Sequence, residues 1–408
     1  MKNRLILVTS TFPYGTSETF LENEIGVIAD AFDSVLILCT RTSSKKHRVI
    51  PDNCSVGFYD VDVTSKIKIS SVLGTFTRLF WNELRIIRKD YRKRISIGIL
   101  SSLLISLYQG RKISFAIEKI MIEKGYENDN TVLYSYWCGD TAIALGFLKK
   151  RISDLKSISR MHRWDIYFEE SKFNYLPLRH FIYNNLNQLH SISDDGKKYA
   201  EDVWKINPKK IIVSRLGVKR QVNNDGAVRK IIVSCSNLIP VKRVELIVQA
   251  LSRIENTSIS WVHFGDGVEL EKIRDEASEN LQGRVGYDFK GRVSNTDLME
   301  WYAENKPSVL INVSSSEGVP VSIMEAMSFG IPVMATNVGG NSEIVNNENG
   351  ILLEENPSIE DIKNAINNFD ELSDEEKKRK RASAFATWQS DYNAEKNYTS
   401  FVEKIISL

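Results

Sequence analysis

Two glutamates, Glu317 and Glu325, stand eight positions apart in the stretch SSSEGVPVSIMEAMSFGIPVMATNVGG, Ser314 to Gly340. The apolar run Val309–Val313 before them reads as a strand. Pro320 sits where a helix starts, because proline's missing N–H costs nothing in a first turn, and Val321–Phe329 reads as that helix. Unpaired N–H groups at such a start, with the helix dipole, form an anion site. Gly318 and the pair Gly339–Gly340 are expected to let a ligand approach the backbone closely. A diphosphate fits there. Glu317, in the loop before the helix, then reaches hydroxyls on one side of it. Glu325, about a turn into the helix, accepts two hydrogen bonds from a vicinal diol such as that of ribose on the other. One hydroxyl-rich ring on each side of a diphosphate describes a nucleotide sugar. The two glutamates by themselves also fit a blander reading, a helix cap and a solvated or ion-paired carboxylate.

The elements that must carry this loop alternate along the chain. Strand candidates are Leu5–Thr9, Ser34–Cys39, Thr131–Tyr134, Ser157–Met161, Ile211–Ser214, Ile231–Ser236, Ser260–Phe264, Val309–Val313 and Val333–Ala335. Helical spacing marks Glu18–Ala31, Val244–Ile254, Val268–Ala277, Asn295–Asn305 and Ile359–Phe369. Alternation of this kind means parallel sheets covered by helices. So many strands exceed one ordinary sheet, and the polar stretch GVKRQVNNDGAVRK at 217–230 supplies a break. We therefore expect a first domain over 1–216, a linker over 217–229, a second domain over 230–390, and a C-terminal helix within 391–408 that caps the second domain or crosses back to the first. Open α/β sheets bind ligands at the carboxyl ends of their strands.

Composition narrows the class without naming a partner. The 408 residues carry 54 Lys and Arg against 52 Asp and Glu, a formal charge of +2, so overall charge points to neither nucleic acid nor any other polyanion. Four cysteines, Cys39, Cys54, Cys138 and Cys235, are widely spaced with no CxxC, which favours free thiols and a reducing, cytoplasmic compartment. The opening MKNRLILVTS reads as a first buried strand rather than a leader. No apolar run reaches the ~18 residues of a membrane span.

The stretch SEGVPVSIMEAMSFGIPVMAT resembles the donor-site motif of retaining family 4 glycosyltransferases, in which a Glu, seven residues and a second Glu precede A-x-x-x-G-x-P-V. The resemblance implies the GT-B fold: two Rossmann-like, doubly wound α/β domains facing a central cleft. Within it, SNLIPVKRVELIVQAL (236–251) is similar to the segment that meets the diphosphate, with Lys242 at the place of the phosphate-binding lysine. Asn237 stands where many members carry an arginine, and Arg243 is the candidate to compensate. HFGDG (263–267) resembles the family's Gly-x-Gly loop, and VGYDFKGRVSNTDLMEWY resembles the segment whose backbone near Lys290 and Val293 flanks the nucleobase. Gly318, Val319, Pro320 and Val321 complete the donor set.

In the first half, TSTFPYGTSETFLENEI resembles an N-terminal loop and helix of members that build surface polysaccharides, with Gly15 on the cleft-facing loop as a donor-binding residue; Ser17 as N-cap and Glu18 in the first turn either only cap the helix or also serve the acceptor site. SRMHRWDIYFEE (159–170) aligns His162 with a donor-facing histidine of the family; Arg160 and Asp165 either order that loop or touch the acceptor. HSISDDG and SRLGV (214–218) extend the match to the end of the first domain. The implied reaction moves a sugar from a UDP- or GDP-sugar to a hydroxyl of a glycan or lipid-linked acceptor in capsule, O-antigen or exopolysaccharide synthesis, with retention. Catalysis then rests on Glu317, Lys242 and His162, with Glu317 positioning the sugar rather than attacking it.

No metal is expected. Asp60 and Asp62 form the one Asp-x-Asp pattern, far from the donor motif, and the histidines fall in no ligand spacing. From Lys66 to Lys112 there are eleven Lys and Arg against two acidic residues, around the uncharged stretch ISIGILSSLLISLY (95–108). This combination reads either as docking on anionic lipid at the inner face of the plasma membrane or as solvated helix faces around a core helix. No nucleic-acid motif accompanies the charge. A nucleotide-sugar 2-epimerase of the same architecture and a silent glycan-binding partner are the competing functions. A glycosidase fails, because both glutamates fall on the nucleotide side of one domain.

Overall fold

The structure is a computed structural model that describes residues 3–15, 17–40, 48–59, 75, 77–126, 130–220, 227–255 and 258–408. The chain divides into two compact domains, Met1–Leu216 with Glu395–Leu408, and Gly217–Ala394. Each is built on one parallel sheet.

The first sheet comprises β1 (Arg4–Val8), β2 (Ser34–Cys39), β3 (Cys54–Phe58), β4 (Thr131–Ser135), β5 (Lys156–Met161), β6 (Gln188–Ser191) and β7 (Ile211–Val213), in the order β3-β2-β1-β4-β5-β6-β7. Its inner strands are buried on both faces. Ile6, Val8, Leu36 and Leu38 point into one apolar cluster, while Leu5, Leu7, Val35 and Ile37 point into the other. This two-residue alternation sorts an unbroken apolar run to opposite sides of a covered sheet. The helix Ala394–Ile406 belongs to this domain, and its Phe401, Val402 and Ile405 complete the second cluster.

The second sheet comprises β8 (Arg229–Cys235), β9 (Ser260–Phe264), β10 (Gly286–Gly291), β11 (Pro307–Asn312), β12 (Val333–Thr336) and β13 (Gly350–Leu353), in the order β10-β9-β8-β11-β12-β13. In both sheets the strand order reverses beside the first strand, between β1 and β4 and between β8 and β11. That doubly wound order opens a crevice at the carboxyl ends of the two central strands.

Four strands, β3, β6, β10 and β13, escape the sequence reading for physical reasons. β10, GYDFKG, is an edge strand that alternates between exposed and half-buried positions. β3 is also an edge, and β13 has only four residues. β6 carries a buried histidine, His190, whose Nδ1 meets Ser214 Oγ at 2.9 Å. The uncharged stretch 95–108 accords with the core-helix reading. It lies mostly in a 27-residue helix, Ile97–Glu123, whose Ile99, Leu103 and Leu107 are buried in the first domain's core. Its lack of charge therefore reflects core packing over much of its length. Residues 66–74 and 76, with Asp60 and Asp62, lie outside the described residues.

Arg160 has no exposed surface. It sits inside the first domain, 3.0 Å from Glu24 Oε2, with its guanidinium 4.0 Å above the Phe401 ring. It joins β5, the helix Leu21–Ala31 and the C-terminal helix, and so it is placed for architecture rather than for an acceptor. Removing one partner of such a pair strands a buried charge and costs about 3–5 kcal/mol. Glu24→Ala is accordingly expected to lose that much in urea unfolding, whereas Glu22→Ala, on the exposed side of the same helix, should stay within about 1 kcal/mol of the parent.

Candidate functional site

The loops after β8 and β11 meet at the crevice of the second domain. Ser315 donates its N–H to Val241 O at 2.8 Å. Arg243, in the left-handed region at φ 49°, donates from Nε to Val313 O at 2.7 Å and from Nη2 to Ser314 O at 3.0 Å and Glu355 O at 2.9 Å. With Nη1 on the Asn356 side-chain oxygen at 3.0 Å, its donors are spent within the protein, so it stitches the loops together and does not replace the arginine missing at position 237. Asn237 itself is exposed.

That stitching brings Lys242 Nζ to 2.5 Å from Glu317 Oε1. The same oxygen accepts from Ser314 Oγ at 2.6 Å and Asn312 Nδ2 at 3.2 Å. Glu317 is buried, whereas 19% of the Lys242 side chain remains exposed, so the lysine is the approachable member of the pair. Asn312 is fixed in turn by Ser314 N–H to its Oδ1 at 3.0 Å, and Thr336 Oγ1 donates to Ser314 O. Neither Asn312 nor Ser314 carries a motif signal that sequence reasoning used. Both sit within five residues of Glu317, where a buried carboxylate needs donors.

Directly after this loop the helix Val321–Ser328 begins at Pro320, which offers no side-chain cap. The N–H groups of Ile323 and Met324 turn back to Pro320 O. Those of Val321 and Ser322 are the first two of the helix and have no carbonyl one turn behind them within it. Lys242 is thus held against Glu317, on the loop that leads into this uncapped start.

Glu325 is the fifth residue of the helix and nearly buried. Burial pushes its carboxyl up to about 7, opposed only by the hydrogen bond from Asn295 Nδ2 to Oε1 at 2.6 Å. Asn295 is an exposed residue just after β10, thirty positions upstream, and no spacing in the sequence pointed to it. Nearby, Lys290 pairs with Asp288 at 2.6 Å on the exposed end of β10, and Val293 is half-buried.

The glycines have a different employment from the expected one. A Cβ on Gly339 would stand 1.9 Å from Glu317 O, and one on Gly340 2.5 Å from Gly318 O. These two glycines admit the neighbouring loop, with Gly340 N–H bonded to Gly318 O at 2.8 Å, rather than a ligand. Gly265 and Gly267 do the same for Ser236 O and Leu238 O. Glycine at each point lets neighbouring loops pack backbone against backbone, at Gly339 against Glu317 itself.

In the first domain the corresponding crevice holds a second cluster. Glu18 is not in the first turn of its helix, which begins at Leu21. Its backbone is at φ 57°, and its carboxylate gathers N–H groups from Ser10, Thr11 and Phe12 at 2.7–2.9 Å and Trp137 Nε1 at 2.7 Å. It caps the loop after β1 rather than the helix. Ser17 likewise pairs with Thr11 Oγ1 and caps nothing. Gly15, at φ 71°, borders open space.

His162 packs against the rings of Tyr136 and Trp137, with centroids 4.6 and 4.8 Å away, while those two rings meet each other at 5.3 Å. Burial and the Arg160 cation lower its pKa to about 3 against a hydrogen bond to the Tyr136 backbone, and its Nε2 is buried without a hydrogen-bond partner. Asp165 accepts N–H groups from His162 at 2.6 Å and Cys138 at 2.7 Å, tying the loops after β4 and β5. Its carboxylate is therefore occupied by the backbone. Among the described residues no cluster of His, Cys, Asp or Glu is arranged to hold a metal.

Residues 218–387 match the family model described as glycosyl transferases group 1. The second domain belongs to that family. Parts of the chain also align with curated relatives. One is an O-antigen biosynthesis glycosyltransferase, WbnH of Escherichia coli, 25% identical over 210 residues that cover 51% of this chain and 59% of that protein. Another is the N-acetyl-alpha-D-glucosaminyl L-malate synthase of Bacillus anthracis, 24% identical over 255 residues that cover 59% of this chain and 65% of that protein. The matches thus span less than two thirds of either relative. The crystal structure of Anabaena HepE in complex with UDP and glucose aligns over 100% of both chains with a TM-score of 0.68 at 16% identity, which establishes a common fold, GT-B.

Two outcomes follow. Glu325→Gln removes a carboxyl whose folded pKa lies above its unfolded value. The parent loses stability as pH rises from about 4.5 to about 7, and the deficit is complete above that. The variant should therefore gain on the order of 3 kcal/mol at pH 8 and nothing at pH 4 in paired denaturation curves. The His162 ring, followed by its Cε1–H resonance, should stay neutral from pH 8 down to pH 5.

Proposed function

We propose that the protein is a retaining glycosyltransferase that takes its sugar from a nucleotide diphosphate sugar, most simply a UDP-sugar, and passes it to a hydroxyl of a growing surface glycan. The observation that carries this reading is the meeting of Lys242, Glu317 and the uncapped helix start at the strand reversal of a group 1 domain. The diphosphate would take the N–H groups near Val319–Val321 and draw Lys242 away from Glu317. Glu317, still held by Ser314 and Asn312, would then accept from sugar hydroxyls. On the other side the ribose diol would displace the Asn295 amide from Glu325. The nucleobase would lie along the backbone near Lys290 and Val293.

Bond breaking places charge on the leaving diphosphate. Preorganised donors facing that charge are usually the largest catalytic contribution, each worth about 3–4 kcal/mol. One lysine and one helix start supply it here, and no metal is asked to. Glu317 acts by positioning the sugar. A neutral His162 with a free Nε2 is suited to hydrogen-bond an uncharged hydroxyl. Retention rests on the motif's resemblance, and the glycan acceptor is supported by the O-antigen relatives. We assign the first domain to the acceptor. Its exposed Trp81, on a helix with Arg78, Arg85 and Arg88, favours contact with an anionic membrane surface, although no helix among the described residues is long and apolar enough to cross one.

Screening nucleotide sugars by thermal shift and assaying the hits for hydrolysis and transfer tests the reading. Lys242→Ala should lower kcat about 10²–10³-fold, and Glu317→Gln should lower kcat with little change in KM. Glu325→Ala should weaken uridine diphosphate binding about tenfold or more. Chelation of divalent metals should leave turnover unchanged. Wild-type turnover in both Lys242→Ala and Glu317→Gln would refute the site.

A further inference from the structure

The second domain holds another concavity, at the other end of its sheet from the diphosphate loops. A cavity of about 760 Å³ opens beside the first residues of β8 and β11. Its walls include Ile232, Val309, Phe329, Ile366, Phe369 and Phe385. This volume is that of a typical small-molecule site, and walls so apolar give water few of the partners it needs.

Charge is not spread evenly around it. Arg229, Lys230, Lys377, Lys378 and Arg381 line the cavity against two acids, Asp370 and Asp374. Asp370 is already engaged, through its carboxylate to Lys230 at 3.0 Å and its carbonyl to Lys377 at 2.5 Å. Arg381 is held by the carbonyls of Pro307 at 3.0 Å and Phe329 at 3.4 Å, and no carboxylate among the described residues pairs with it. Burial without a counter-charge lowers its pKa to about 10. The helix Asp374–Asp391 carries Lys377, Lys378 and Arg381 on the face that also bears Ala382 and Phe385. One helical stripe thus changes from cationic to apolar along its length.

We propose that this cavity is a second ligand site, built for a single-chain amphipathic anion. An alkyl or acyl chain would lie against Val309, Ile366 and Phe385, with a terminal phosphate or carboxylate between Arg381 and Lys378. The assignment stands apart from the sugar-transfer reading, since none of its residues belongs to the donor site.

Calorimetric titration of the full chain with dodecyl phosphate and with laurate, both below their micelle concentrations, tests it. We expect saturable one-to-one binding of at least one of them, and which one binds tells phosphate from carboxylate. Inorganic phosphate and dodecyltrimethylammonium should bind at least tenfold more weakly. Lys378→Glu, at an exposed position, should weaken binding about tenfold. Ala382→Trp, also exposed and therefore expected to fold, should fill the cavity and abolish binding while uridine diphosphate affinity stays unchanged. Equal affinity for the ammonium and phosphate amphiphiles, binding of inorganic phosphate as tightly as dodecyl phosphate, or undiminished binding in Ala382→Trp would overturn the proposal.

Discussion

A lysine from the loop after β8 touches a glutamate from the loop after β11, and the rest of the candidate site is arranged around that contact. It falls where the strand order of the second sheet reverses, so the two loops begin side by side and then part company. Nothing in the sheet itself forces them to stay close. The Arg243 side chain, the Ser315–Val241 bond and the glycines at 339 and 340 do so, and each acts on the main chain rather than on a ligand. The ion pair is then a product of the loop packing, a pre-formed cation held on the loop that leads into an uncapped helix start.

The site stores its polarity at a cost that suits exchange with a ligand. Glu317 Oε1 already has three donors, of which only the lysine carries charge and only the lysine is partly open to solvent. A diphosphate that takes the lysine leaves the carboxylate with two donors and room for sugar hydroxyls. Glu325 is poorer, with a single amide to offset its burial, so its carboxyl is raised toward neutrality. A vicinal diol would supply what the protein withholds, which ties recognition of a ribose to relief of a buried charge.

Much of this was legible in the sequence, and the part that was not has a common cause. Runs such as LILV and SVLILC announce strands because a sheet covered on both sides is apolar at every position, and the Glu317 to Gly330 motif marks its loop because many backbone requirements coincide there. Partnerships across distant elements leave no such mark. Asn295 meets Glu325 from thirty residues away, and Arg160 meets Glu24 and Phe401 from three separate elements. Residue type misleads where one chemistry has two uses. Glu18, beside a helix, caps a loop; Arg243, next to Lys242, bonds carbonyls; Gly339 makes room for a protein chain. In each case burial and hydrogen-bond geometry decide what composition leaves open.

The central claim is that a pyrophosphate replaces Glu317 as the partner of Lys242. A crystal structure of the protein with bound uridine diphosphate measures this directly. The account predicts phosphate oxygens within about 3 Å of Lys242 Nζ and of the main-chain nitrogens that open the Val321–Ser328 helix, with the lysine withdrawn from Glu317 and the ribose on Glu325. A nucleotide bound elsewhere, with the Lys242–Glu317 contact intact, would contradict it.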